Sequence, residues 1–472
     1  MRAAGASQSR IWAAAVLSAG WIAALAVSWP GQLSYDSIVQ LHDGRTGFYH
    51  SWHPAVMAWL LGLGDSILPG AGLFIVFDAA LFFGALLSLL WLRSRVSPIA
   101  VAVAIALLFL PQCILYQGIV WKDVLFADCA VAGFVCLAHV EVRWECMPLR
   151  FALLAASLAL FVLAAMVRQN GFVVLAAGLV VLGFIAWIRS SAIPALIYAI
   201  AAASLALAVS FAATSALDRH SDHGQGPVAQ LRLLRLYDIV GAVVQQPNIP
   251  LDDLRASAPE LENLIRTDGV RLYSPQRNDT LVGSPALQSE LADTEPELMK
   301  SQWADLVAHH PWLYLRVRAL EFGWVFLTPD IAACRPVFTG VEGPAGEMSE
   351  LGIMPRRSPR DLALQDYAKS FMGTPFLSHV FYAGLALVML IVLLRRRSPG
   401  DVAMAAMLGA GFIFTASFFV ISIACDYRYL CFLDFAALAS LLYLALDSNY
   451  LFQVRAIWSG SFWEFRSDAR KS

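Results

Sequence analysis

Apolar runs long enough to cross a bilayer recur through the whole chain, and this recurrence limits the fold more than any other feature. A crossing helix needs about 20 mostly apolar residues. Such runs cover 11–29, 71–92, 99–115, 123–140, 150–167, 171–188, 194–217, 376–394, 402–424 and 429–446. Backbone polar groups in hydrocarbon must be satisfied within the segment, so each run is expected to be a helix. The expected class is an all-α integral membrane protein with about ten transmembrane helices. Composition agrees, with 59% hydrophobic and only 14% charged residues, against about 25% charged in soluble domains. A net charge of −2 gives no footprint for a nucleic-acid partner.

Basic residues set the orientation, because cytoplasmic loops collect arginine. Arginines stand at Arg2 and Arg10, Arg93 and Arg95, Arg143 and Arg150, Arg189, Arg395, Arg396 and Arg397, and Arg455. For all these ends to be cytoplasmic, residues 54–92 must cross once. The run 54–67, short and broken by Gly62, Gly64 and Asp65, is then expected as a helix in the outer interface. Both termini come out cytoplasmic, and 11–29 reads as an uncleaved anchor. The N-terminal membrane module is 1–217 (seven spans), the extracytoplasmic region 218–375, the C-terminal membrane module 376–446 (three spans) and the cytoplasmic tail 447–472.

The 218–375 region is richer in charge and proline. Helical spacing marks 228–245, 251–266 and 297–310, and the aromatic-rich 311–327 suits an interfacial helix. Turn formers over 268–296 predict a loop. The seven cysteines show no CxxC spacing and mostly sit in or beside apolar runs. They are expected to be buried thiols, with neither a disulfide framework nor a zinc site. His220 and His223 fit no strong metal template.

Polar residues gather on the outer side. The loop 30–53 follows the first span and carries Asp36, with Gln40 one helical turn on. A carboxylate there can accept a proton from a substrate hydroxyl, or cap a helix. His53 precedes Pro54, which suits a first helical turn and an anion nearby. Each outer connection also holds a cation: Arg45, Lys122, Arg168 and Arg428. These suit an anion such as phosphate; local pairing with Asp43, Asp123 or Asp426 is the alternative. Asn170 shares a tight turn with Arg168, and Tyr429 follows Arg428. Asp78, Asp128 and Asp434 lie in the outer halves of spans, where they suggest a wet cavity or inter-helix hydrogen bonding.

The ordered motifs DSIVQ, WHP, WKD, RQNG and DYRYL resemble the polytopic GT-C glycosyltransferases, such as protein O-mannosyltransferases and lipid A aminoarabinose transferases, in an uncharacterised bacterial branch. The resemblance covers most spans and little of 218–375. It implies a polyprenyl-phosphate-linked sugar as donor, a glycan, lipid or protein as acceptor, and inverting transfer at the periplasmic face of the bacterial inner membrane. Asp36 matches the family's first-loop acid, as general base or acceptor-orienting group. Lys122, Arg168 and Arg428 match its phosphate-holding cations. Gln40, His53, Asp123, Asn170 and Tyr429 complete the expected substrate site. Some relatives have a paired acidic motif; here Asp43 is the candidate second acid, so dependence on a divalent metal stays open. A transporter or flippase would instead bring repeats and broken helices at mid-membrane, and an envelope assembly subunit is a third class.

Overall fold

The computed structural model describes residues 2–222 and 225–447. His223 and the tail beyond Asp447 lie outside the described residues, so neither the His220–His223 pair nor the cytoplasmic tail is taken further. The chain is an all-α, multi-pass membrane protein. Among the described residues, nine helices are long and apolar enough to cross a membrane.

The run expected as a straight span over 99–115 is broken. Pro98–Leu108 meets Pro111–Gly118 at 78°. Leu110 is extended and Pro111 opens the next helical turn. A residue before proline is pushed out of the helical region, and proline lacks the N–H that would continue the ladder. The helix Ala55–Ile67, with 13 residues, is about 20 Å long at 1.5 Å per residue, too short for a crossing of about 30 Å.

Lys122–Val142 is the axle of the bundle. Of its apolar window 94% is buried in the protein, whereas for Ala192–Asp218 the figure is 11%. A helix that is apolar all round and fully enclosed needs close neighbours, and small residues supply them. The ring of Phe161 lies between Gly133 of the axle and Gly178, where a Cβ on either glycine would strike it.

The outer loop folds on the same logic. The helix Tyr35–Thr46 starts from a capping box at Ser34 and Ser37 and ends on left-handed Gly47. It crosses Ala55–Ile67 so closely that a Cβ on Gly44 or Gly62 would collide with the other helix's backbone. Ahead of it, the extended residues Gln32 and Leu33 lie between two other segments. Gln32 bonds Gly118 and Val120, and Leu33 bonds Gly340 and Glu342. These bridges draw the first loop, the broken span and the 337–361 segment together.

The two ends of the bundle differ in their charges. Arg10, Arg93, Arg143, Arg396 and Asp401 gather at one end: Arg10 bonds the Arg93 and Ser94 carbonyls and Arg143 the Trp91 carbonyl. The site described below lies at the other.

The 218–375 region builds a second hydrophobic core around Leu236, Val240, Leu254, Ile265, Met299 and Val317. Its helices include Gln225–Gln245, Pro296–His309 and Pro311–Leu327. The stretch expected as a loop is partly helical, with Asp279–Val282 and Pro285–Asp293; Ser284 and Pro285 supply a cap and a first turn that outweigh the turn formers. Fully buried Arg318 pairs with Asp238 and donates to the Ser422 carbonyl at 2.7 Å, tying this core to the span Asp401–Ile421.

The cysteine expectation is corrected. Cys334 and Cys425 form a disulfide with a Cα–Cα distance of 5.0 Å, while Cys113, Cys129 and Cys431 are buried thiols.

Candidate functional site

Four separate segments bring charge to one place at the disulfide end of the bundle. Asp36 sits in the first turn of Tyr35–Thr46. Lys122 and Asp123 open the axle helix. Arg168 ends the helix Met147–Val167, and Arg428 stands in the one-turn helix Tyr427–Leu430. The axle helix and Met147–Val167 follow one another in the chain; the other two segments are distant from them in sequence.

Arg428 is the hub. Its guanidinium lies 2.7 Å from Asp36, 3.2 Å from Asp426 and 3.5 Å from Asp123. The Trp121 ring covers it at 5.0 Å, a cation–π contact strengthened by partial burial. Trp121 is itself fixed by its indole N–H to Ser34 Oγ, at 3.1 Å. Asp123 is fully buried and also pairs with Arg168. Arg168 lies among the Phe414, Phe418 and Tyr429 rings. Asp426 is held from the far side by Arg277, at 3.0 Å.

Lys122 differs from the arginines. Among the described residues no carboxylate lies within ion-pair distance of its Nζ, which instead meets His53 Nδ1 at 3.1 Å. With Lys122 protonated, its ammonium donates to Nδ1 and the His53 proton sits on Nε2. That nitrogen faces Asp36 at 3.9 Å. Burial, with Lys122 and Arg428 alongside, pushes the His53 pKa down to about 3 against the pull of Asp36. The ring is therefore neutral at physiological pH. Burial alone would raise the Asp36 pKa; Arg428, His53 and Lys122 together outweigh it and hold the carboxyl below the ordinary carboxylate range. Asp36 keeps 31% side-chain exposure, the most open of the Arg428 partners.

The sequence-predicted residues separate into two groups. Asp36, His53, Lys122, Asp123, Arg168, Arg428 and Tyr429 form one connected network. Gln40 and Asn170 flank it. Gln40 Nε2 donates to the Asp36 carbonyl at 3.0 Å, and its Oε1 is buried with no hydrogen-bond partner. Asn170 donates to Ser417 Oγ at 2.9 Å and braces the 168–171 turn. Arg45 stands apart, clamped on Asp65 by bonds of 2.8 and 2.6 Å. Asp43 is no second acid here, because its carboxylate binds the His50 backbone and ring at 3.0 and 2.8 Å.

The membrane carboxylates Asp78, Asp128 and Asp434 are buried within the protein. Asp128 accepts from Gln117 Nε2 at 3.3 Å. Asp434 takes Tyr427 Oη at 2.8 Å and His379 Nδ1 at 3.0 Å, while His379 Nε2 meets the Tyr427 carbonyl at 3.1 Å. This second trio fixes the turn that presents Arg428. Arg277 was invisible in the sequence, as a lone arginine among turn formers; the Trp of the WKD motif was the one available signal for Trp121.

Chemically, the arrangement offers an anion a free ammonium and two guanidinium groups, beside one accessible carboxylate. Among the described residues no three His, Cys, Asp or Glu side chains converge as a metal-holding group. The carboxylates at the site each face an arginine, and this donor set does not suit a divalent cation.

No protein-family model matches the chain, and no curated protein does. Among solved structures, the chain is similar to the archaeal oligosaccharyltransferase AglB from Archaeoglobus fulgidus, determined in complex with an inhibitory peptide and a dolichol-phosphate. The TM-score is 0.42 at 15% identity, over 95% of this chain and 52% of that one. This chain thus spans about half the length of that protein.

Proposed function

We propose that this protein is a membrane glycosyltransferase of the GT-C kind. It moves a sugar from a polyprenyl-phosphate donor to an envelope acceptor, with inversion, at the outer face of the bacterial inner membrane. The observation that carries this reading is the meeting of Asp36, Lys122, Arg168 and Arg428 from four segments at one end of the bundle. A leaving phosphate gains charge in the transition state, and preorganised cations stabilise such charge best. Lys122, Arg168 and Arg428 receive the phosphate, Asp123 holds the two arginines, and Asp36 orients the acceptor hydroxyl and takes its proton. His53, Gln40 and Tyr429 shape the sugar-side wall, and Asn170 keeps Arg168 in place. In the same reading, 1–217 and 376–446 are the membrane modules and 218–375 the extracytoplasmic region. The Cys334–Cys425 bridge supports placing this end on the oxidising side.

Native mass spectrometry of the purified protein tests the donor class. The expected result is a co-purifying polyprenyl-phosphate sugar whose occupancy falls at least about tenfold in Lys122→Ala and Arg168→Ala, the size of one charge-assisted hydrogen bond. A retained phospholipid, unchanged in both variants, would reject it. A transporter is the second reading, favoured by the helix broken at Leu110 and the buried Asp78 and Asp128. Uptake into proteoliposomes without glycosyl transfer would select it.

A further inference from the structure

Arg428 is shared among three carboxylates, and the three are not equivalent. Asp426 keeps Arg277 at 3.0 Å if Arg428 leaves. Asp123 keeps Arg168. Among the described residues Asp36 has no second cation within hydrogen-bond reach: the other charged or titratable groups facing it are His53, at 3.9 Å, and Lys122 beyond the His53 ring. Losing Arg428 therefore costs Asp36 its counter-charge and leaves the other two carboxylates paired. Asp36 is also the most exposed of the three, so its side of the guanidinium is the side an incoming anion reaches. Lys122, with no carboxylate of its own, is the cation that can meet such an anion first.

We propose that binding of the donor phosphate takes Arg428 away from Asp36, and that this exchange turns Asp36 into a proton acceptor. The inference rests on the glycosyltransferase reading and adds a fixed order to it, donor before acceptor. In the ligand-free site a carboxylate bound to a guanidinium is a poor base, because protonating it discards the ion pair. Once the phosphate holds Arg428, the same burial that opposes charge on Asp36 favours its protonation. The acceptor O–H bond then breaks with its proton passing to Asp36. The acceptor oxygen bonds the anomeric carbon of the sugar, and the carbon–oxygen bond to phosphate breaks with its electron pair leaving on the phosphate. The lipid phosphate gains one negative charge, facing Arg428 and Lys122, and Asp36 later gives its proton to water. Without donor, the base stays switched off, so water entering the open site is not activated.

Infrared difference spectroscopy tests the exchange, with undecaprenyl phosphate carrying no sugar as the probe and native mass spectrometry reporting its binding. The expected result is a protonated-carboxyl band, absent in Asp36→Asn, whose titration midpoint lies at higher pH with the lipid phosphate bound than without it. The pH at which the band titrates moves up by about 1–3 units, the effect of one neighbouring opposite charge. Arg428→Gln should show the raised midpoint without lipid; if that variant does not fold, wild type with and without the lipid decides alone. Bound lipid phosphate with no change at Asp36 overturns the exchange and leaves the glycosyltransferase reading standing. No binding of the lipid phosphate overturns both.

Discussion

The two ends of the bundle are both built from arginines and aspartates, and they use them in opposite ways. At the Arg396 end Arg93, Arg396 and Asp401 answer one another. Arg396 grips Asp401 with bonds of 2.9 and 2.5 Å and Asp447 at 2.5 Å. Asp401 also takes Tyr443 Oη and the Ser398 N–H, both at 2.7 Å. Arg93 bonds Tyr443 Oη and the Pro399 carbonyl. At the Arg428 end the contacts loosen, with 3.5 Å to Asp123, 3.9 Å between His53 and Asp36, and an ammonium that lacks a carboxylate. A saturated cluster fixes helix ends. An unsaturated one keeps capacity for a ligand, at a cost in stability that the rest of the fold must offset.

Substitutions at the two ends should therefore fail differently. Asp36→Asn is expected to lower transfer by about 10²–10⁴-fold, the range for a lost acid–base group, with the amount of protein in the membrane unchanged; normal transfer would remove Asp36 from that role. Asp401→Asn should do the reverse. Breaking one partner of a buried pair costs about 3–5 kcal/mol, read as a lower unfolding temperature and yield, with transfer per folded molecule close to wild type. Tyr427→Phe tests the join between the two kinds of cluster. It deletes one hydrogen bond to buried Asp434, worth about 1–3 kcal/mol, and loosens the Arg428 turn. A raised KM for donor at nearly constant kcat is expected, and a pure stability loss with unchanged KM would reduce that trio to scaffold.

Taken per pH unit, the smallest effect concerns acid stability. His53 titrates at about 3 in the fold against 6.5 as a free side chain. The unfolded chain binds the extra proton between these values, so stability falls as pH drops from about 6.5 toward 3 and is flat above 6.5. His53→Gln should flatten the acid side of a plot of unfolding temperature against pH; an unchanged slope would place the acid lability elsewhere.

The bundle was legible because hydrocarbon imposes a length and a composition on each segment. The candidate site was legible for a related reason: a charged residue beside a span is costly, so Asp36, Lys122, Arg168 and Arg428 stood out on an apolar background. What stayed hidden was decided by contacts across long separations. Cys334 and Cys425 are 91 residues apart, with nothing local to pair them. Asp434 could not reveal from its own segment that Tyr427 and His379 would satisfy it. Pro111 was visible, yet apolar length outweighed it and the bend was missed. Asp43 and Arg45 looked like site residues until His50 and Asp65 were found to hold them.

The helix Ala192–Asp218 has 27 residues, about 40 Å at 1.5 Å per residue, against a hydrocarbon thickness of about 30 Å. It contributes little to the protein core, so the bilayer is its main packing partner. It must tilt, or thicken the lipid around it, to hide its apolar length. The 218–375 region follows from its end, and its position relative to the bilayer is tied to that tilt. Lipid thickness thus becomes a control on the protein: a thin bilayer or a short-chain detergent will disturb this helix first and carry the disturbance into the region that follows it.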